Sequence, residues 1–338
     1  MHRPLLLRGA RQLLTFRGAA GPRRGAVCLD LGIIPDGSIL IRDGRIVSIG
    51  PSRRVDNLAE ARHAVIHETH GAVVMPGFLD AAVTAPENAG NLRRLLKLAM
   101  AHGATTVGGT VSIGGLRDWG ECEDLRLGLV AFLDVESRFD ESRVIRAVRR
   151  GQAQYLRADL HSHSVEELRF LRAQGLPIRA CHSDPVENLD WVGLALAYGA
   201  SVVEVGAEMG RSQRQLLCDS TATAVLPMSR ASLAREWLDG GAALALGTGF
   251  AESGAATCSM QTATLTAVRV GGIDLAEALT LGTINAAYAL GVAGTLGSLE
   301  LGKQADMIVL QVSDYRDIPD FFGGNIVSNV FRAGTLVS

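Results

Sequence analysis

Between residues 73 and 249 the chain alternates short apolar runs with amphipathic stretches. The apolar runs fall at 73–79, 104–111, 127–135, 154–160, 176–181, 201–205, 222–228 and 243–247. Each has the length of a buried strand. The intervening segments repeat apolar residues at helical spacing: over 91–102, Leu92, Leu95, Leu96, Leu98 and Ala99 are expected on one face. Further helices are expected at 141–150, 164–174, 187–198, 212–218, 232–240, 257–270 and 275–290. Ser164-Val165-Glu166-Glu167 has the Ser-x-x-Glu form of a capping box. Strands alternating with helices predict a parallel sheet, and eight such units are the count of a closed (β/α)8 barrel.

The two ends of the chain have a different texture. Residues 36–50 place β-branched runs on either side of Asp43-Gly44, a pair suited to a tight hairpin turn. A further strand is expected at 64–68, and the C-terminal stretch adds strands at 306–310 and 325–331, with Gly334 at a turn. One small β domain built from both termini, residues 1–72 plus 296–338, with a barrel over 73–295, accounts for this distribution. The chain carries no acid up to Leu29 but several arginines, a composition that also suits a targeting segment. The apolar stretches Pro4–Leu7 and Gln12–Phe16 favour a first strand instead.

Composition changes this picture little. Lys plus Arg number 33 against 35 Asp plus Glu, which offers no basis for a nucleic-acid partner. No run approaches the ~18 apolar residues of a membrane span. Cys28, Cys122, Cys181, Cys218 and Cys258 are scattered and form no C-x-x-C pair, as expected of a reduced, cytoplasmic protein. A small-molecule ligand and a homo-oligomer are compatible with all of this.

Candidate chemistry lies at the ends of the fourth and fifth barrel strands. His161-Ser162-His163 follows the fourth, and His182 follows the fifth. If the strand runs through the pair, His161 and His163 face the same way. With His182 they would supply three imidazoles for zinc and leave one position open. The plain alternative is two loop histidines before a helix and one histidine held by backbone hydrogen bonds. His67 and His70, three apart, would face opposite ways on a strand and would not chelate.

Val74-Met75-Pro76-Gly77-Phe78-Leu79-Asp80 resembles the entry to the barrel in the amidohydrolase superfamily. Thr283-Ile284-Asn285-Ala286-Ala287 and the stretch from Gly294 to Asp306 resemble that superfamily's closing signature. Asp314 to Asn325 is similar to the imidazolonepropionase branch, whose members open an imidazolone ring with one metal and an activated water. The resemblance implies a metal-dependent (β/α)8 barrel with a small β-sandwich. It also implies a ligand set, which this sequence largely lacks. The His-x-His of the first strand falls on Ala82 and Thr84, the sixth-strand histidine near Val205, and the eighth-strand aspartate on Gly249. The acid after the fifth-strand histidine falls on Pro185, while that histidine itself is present as His182.

Two expectations follow. One is an imidazolonepropionase-like amidohydrolase fold that has lost metal-dependent hydrolysis, holds no metal and binds a ligand or partner. The other is an active hydrolase of a cyclic amide or other non-peptide C–N bond, with zinc on a relocated site of His161, His163 and His182.

Overall fold

The computed structural model describes residues 3–18, 20–160, 162–182, 190–205, 209–251 and 257–338. The N-terminal part supplies β1 (Leu5–Leu13), β2 (Ile34–Arg42), β3 (Arg45–Pro51), β4 (Val65–Glu68) and β5 (Val73–Pro76). The barrel strands are β6 (Phe78–Thr84), β7 (Ala104–Val111), β8 (Gly128–Val135), β9 (Tyr155–Asp159), β10 (Ile178–Cys181), β11 (Ala200–Glu204), β12 (Thr223–Pro227) and β13 (Leu244–Gly247). The chain ends with β14 (Met307–Leu310), β15 (Val327–Arg332) and β16 (Thr335–Leu336).

The terminal strands form one mixed sheet in the order β16-β15-β14-β5-β1-β2-β3, with β4 also paired to β1. Its centre joins the two ends of the chain, because β14 pairs antiparallel with β5 and β5 pairs parallel with β1. The hairpin expected at Asp43-Gly44 forms, with both residues at positive φ, as a turn between twisted strands requires. The arginine-rich start of the chain forms β1, and Arg24 donates to the carbonyls of Cys218, Ser220 and Gly241 at helix ends on the barrel. A local apolar core including Leu7, Leu13, Ile39, Val74, Met307 and Phe331 holds this sheet together.

The second sheet runs from β6 to β13 in chain order, all neighbours parallel. Its two edge strands are joined where the Gly249 N–H donates to Ala82 O at 2.8 Å and the Thr84 N–H donates to Phe250 O at 2.7 Å. These bonds close the barrel at one end of the β6–β13 seam. The capping box at Ser164 and Glu167 is present, with both reciprocal hydrogen bonds. Among the described residues no helix is long and apolar enough to cross a membrane.

Two expected elements are divided. The apolar run 73–79 splits at Gly77, so that β5 belongs to the terminal sheet and β6 opens the barrel. The helical stretch 275–290 is two helices, Leu275–Leu281 and Ile284–Ala289. Between them the Gly282 carbonyl accepts from the Leu79 N–H at 3.0 Å. The buried Asn285 side chain then ties Leu244 O in β13 to the backbone of Arg23, so the break joins the barrel to the N-terminal segment.

Gly77 is needed for space. Its φ lies outside the left-handed region, but a Cβ there would stand 2.2 Å from the Thr105 side chain. Gly77→Val should therefore overpack the junction between the two sheets and destabilise the protein by about 1–3 kcal/mol. A denaturant midpoint equal to that of the parent would contradict this account.

Candidate functional site

Charged residues interrupt four consecutive barrel strands: Asp134 in β8, Arg157 in β9, Arg179 in β10 and Glu204 in β11. Register aligns three of them, since Arg157 stands opposite both Asp134 and Arg179 across the parallel ladders. Two adjacent guanidinium groups would repel each other in a low-dielectric interior without a shared counterion. Glu204 provides it. Arg157 donates through Nε to Oε1 at 3.0 Å and through Nη2 to Oε2 at 3.0 Å, while Arg179 Nε donates to Oε1 at 2.5 Å. Arg157 Nη1 also reaches Asp134 at 2.8 Å.

Arg179 extends furthest into the barrel. Its side chain is 1% exposed, its Nη2 donates to Ala81 O in β6 at 2.7 Å, and its guanidinium lies 4.1 Å from the centre of the Phe132 ring. One arginine on β10 thus touches β6, β8 and β11. Its Nη1 is buried and has no hydrogen-bond partner. Burial works to raise the Glu204 pKa, but the charges and hydrogen bonds of Arg157 and Arg179 outweigh it and hold the carboxyl at about 2. Burial likewise opposes the charge on Arg157, yet Glu204 and its neighbours hold that guanidinium well above its ordinary range.

A second polar cluster lies beside the seam. Asp80 is fully buried; one oxygen accepts the backbone N–H groups of Thr248 and Ala82, and the other accepts the Thr248 hydroxyl at 2.6 Å. Burial is the dominant influence and pushes the carboxyl up to about 6, against the opposing effect of these hydrogen bonds.

Arg157, Arg179 and Glu204 line a cavity of ≈ 130 Å³ together with Ala82, Thr84, Val205 and Gly249. Four positions that the family resemblance assigns to metal ligands or the base therefore meet in one place. They present a methyl, a hydroxyl, an isopropyl group and a glycine. None of the four offers an imidazole or a carboxylate, and two guanidinium groups share the space. This donor set does not fit a divalent metal. At Gly249, φ is +66° and a Cβ would approach Pro227 Cβ to 2.8 Å, so an aspartate there would be strained on both counts.

The histidines are placed differently. His182 is buried at the end of β10, and its ring stacks on Trp191 with centroids 5.2 Å apart. His163 is buried, its Nδ1 donates to Asp159 O at 2.7 Å, and its Nε2 has no hydrogen-bond partner. His161 and Pro185 lie outside the described residues. Among the described residues no group of three or more His, Cys, Asp or Glu side chains is arranged to hold a metal ion. His67 packs edge-on against Phe331, and His70 occupies a turn at positive φ.

The arginine pair escaped the reading of the sequence, although single charges inside apolar strands were the available signal. A buried strand tolerates such a charge only with a partner, and each of four consecutive strands carries at least one.

Comparison with known proteins places this geometry in context. The amidohydrolase family model matches residues 52–337. The imidazolonepropionase of Deinococcus radiodurans is 30% identical, with 97% of this chain and 98% of that protein covered. That alignment runs over 401 positions, against 338 residues here, so the relative has segments this chain lacks. The imidazolonepropionase of Geobacillus kaustophilus is 28% identical over 99% of this chain and 98% of its own length. Among solved structures, E. coli guanine deaminase superposes with a TM-score of 0.77 at 16% identity, covering 100% of this chain and 99% of that one. A triazine hydrolase variant gives a TM-score of 0.80 at 14% identity, covering 99% and 94%. These structural likenesses share the fold.

Two outcomes test the electrostatics. Glu204→Gln leaves the buried Arg179 without its counterion, while the partly exposed Arg157 keeps Asp134, and should cost about 3–5 kcal/mol of stability at neutral pH. The folded pKa of Glu204 is depressed, so its contribution is present above the ordinary carboxyl pKa of ~4.3 and is lost as pH falls towards 2. The deficit of the variant should shrink over that window in urea titrations. Asp80 has the opposite sign, because its folded pKa of about 6 is raised. Stability should fall as pH rises from about 4 to about 7, relative to Asp80→Asn, by up to ~3 kcal/mol. Parallel pH profiles for parent and Asn variant would contradict the assignment.

Proposed function

This chain belongs to the amidohydrolase family, and from that premise we propose that it is an imidazolonepropionase-like protein that has given up metal-dependent hydrolysis and retains a ligand-binding barrel. One observation carries the reading: Ala82, Thr84, Val205 and Gly249 line the same cavity as the ion-paired Arg157, Arg179 and Glu204. A metal-activated water requires several protein donors to hold the ion, and a base to take the proton. The four positions supply neither. Glu204 is a poor base, since two guanidinium groups hold its pKa at about 2. Asp80 has a more suitable pKa, but its oxygens are engaged with Thr248 and Ala82.

A second reading is supported by His163, whose Nε2 is buried without a hydrogen-bond partner. In it, zinc sits on His161, His163 and His182, and the protein hydrolyses a cyclic amide or another non-peptide C–N bond. The hydrogen bond from His163 Nδ1 to Asp159 O leaves Nε2 as the nitrogen available to a metal, and a backbone carbonyl is a common orienting partner for such a ligand.

Elemental analysis of the purified protein after exhaustive dialysis separates the two. The first reading expects zinc and other transition metals far below one per chain, and no opening of imidazolone rings at an enzymatic rate. Stoichiometric zinc that disappears in a His161→Ala, His163→Ala double variant, with turnover of a cyclic amide lost alongside it, would overturn the first reading in favour of the second.

A further inference from the structure

We infer that the connection between β1 and β2 is a strap that couples the terminal sheet to one side of the barrel, so that a change in the sheet reaches the strands β11 and β12 at the barrel mouth.

The connection is far longer than its ends require. Leu13 and Ile34 are paired across the antiparallel ladder of β1 and β2, and a turn of ~2–5 residues commonly joins such ends. Residues 14–33 stand there instead, described from Leu14 to Gly18 and from Ala20 to Ile33. The neck is tied, since the N–H groups of Thr15 and Phe16 both donate to Leu31 O at 3.0 Å. Phe16, Cys28 and Leu31 are buried in the apolar core that the barrel strands share. A surface loop ordinarily leaves its side chains in water, whereas this one packs inward.

The far end of the connection grips the barrel. Arg24 Nη1 donates to Cys218 O at 2.5 Å and Gly241 O at 2.9 Å, and its Nη2 donates to Ser220 O at 2.6 Å. These carbonyls stand at or just beyond the C-terminal ends of two helices, Arg211–Asp219 and Ala234–Asp239. The last carbonyls of a helix lack intrahelical donors and carry its negative dipole end, so one guanidinium serves both helices. Beside it, the Asn285 side chain exchanges two hydrogen bonds with the Arg23 backbone and donates to Leu244 O in β13. Thr280 Oγ1 donates to Cys28 O at 2.7 Å.

The part that is gripped bears on the mouth. The two helices follow β11 and β12, which supply Glu204, Val225 and Pro227 to the cavity lining. The counterion of Arg179 therefore stands on the side of the barrel that the strap holds. Loosening β1 at Leu13 frees the neck, and a free neck no longer fixes Arg24 under the helix ends.

Amide hydrogen exchange of the full chain, read by mass spectrometry, tests this. Leu13 belongs to the core of the terminal sheet, and Leu13→Ala opens that sheet. Exchange should rise about tenfold or more in β1 and β2 and also in the helices 211–219 and 234–239, but far less in the helices 141–149 and 165–173. Leu13→Val gives the same pattern at smaller amplitude and serves if the alanine variant does not fold. In Arg24→Gln the helices 211–219 and 234–239 should exchange about tenfold faster or more, because three charge-assisted hydrogen bonds are lost. Adding Leu13→Ala or Leu13→Val to that variant should produce little further rise in them. Arg24→Lys should behave like Arg24→Gln, since an ammonium keeps the charge but not the planar fork that reaches three carbonyls. An equal rise in all four helices with the Leu13 variants would overturn the inference. So would no rise in 211–219 and 234–239, or a response to Leu13 that persists undiminished when Arg24 is replaced.

Discussion

Arg179 is the strut on which the inside of the barrel depends. From one position on β10 it pairs with Glu204 on β11, reaches the backbone of Ala81 on β6 and stacks on Phe132 of β8. Three strands that are remote from one another around the barrel are thereby fixed relative to one side chain. Such a cluster is a poor source of net stability, because desolvating the ions offsets most of their attraction. Its effect is geometric. Once the ions are buried together, each can move only if the others find new partners, and the lumen is held in one arrangement.

The same cluster explains why the family's ligand positions have the residues they do. β6 and β13 run close together: a Cβ on Gly247 would come within 2.5 Å of Ala82 Cβ, and Gly249 adopts a conformation that side-chain-bearing residues rarely take. Small residues at 82, 247 and 249 let the seam close tightly beside the arginine pair. Imidazole and carboxylate side chains would need space that the backbone now occupies. The barrel mouth is therefore a charged pocket, and longer side chains at positions 82, 247 and 249 would require the seam itself to open.

How much of this was legible in the sequence depended on range. The strand at 104–111 and the capping box at Ser164 were readable because hydrophobic periodicity and capping are local properties. The division of 73–79 was not, since the run is apolar on both sides of Pro76-Gly77 and only the partners of each half distinguish them. The site shows the same limit more sharply. Glu204 could be noticed as a neighbour of a missing histidine, but its pairing with Arg157 and Arg179 depends on strand order and register. Residues 47 and 25 positions away cannot be matched by local pattern. The resemblance to the amidohydrolase superfamily supplied the barrel early because its motifs at Val74–Asp80 and Gly294–Asp306 are contiguous in the chain.

The pairing of β14 with β5 has a temporal side. β5 is complete once Pro76 has been made, but its partner β14 begins only at Met307. At synthesis rates of ~5–20 residues per second, the bare edge of β5 waits on the order of tens of seconds for the strand that covers it. Throughout that interval a row of unpaired amide and carbonyl groups is presented by a nascent polypeptide still attached to the ribosome. The intervening barrel must form, or be sheltered, while the small sheet is still half built. An arrangement that pairs strands so far apart in the sequence thus makes the growing chain dependent on residues made much later, and prolongs its exposure to misassembly.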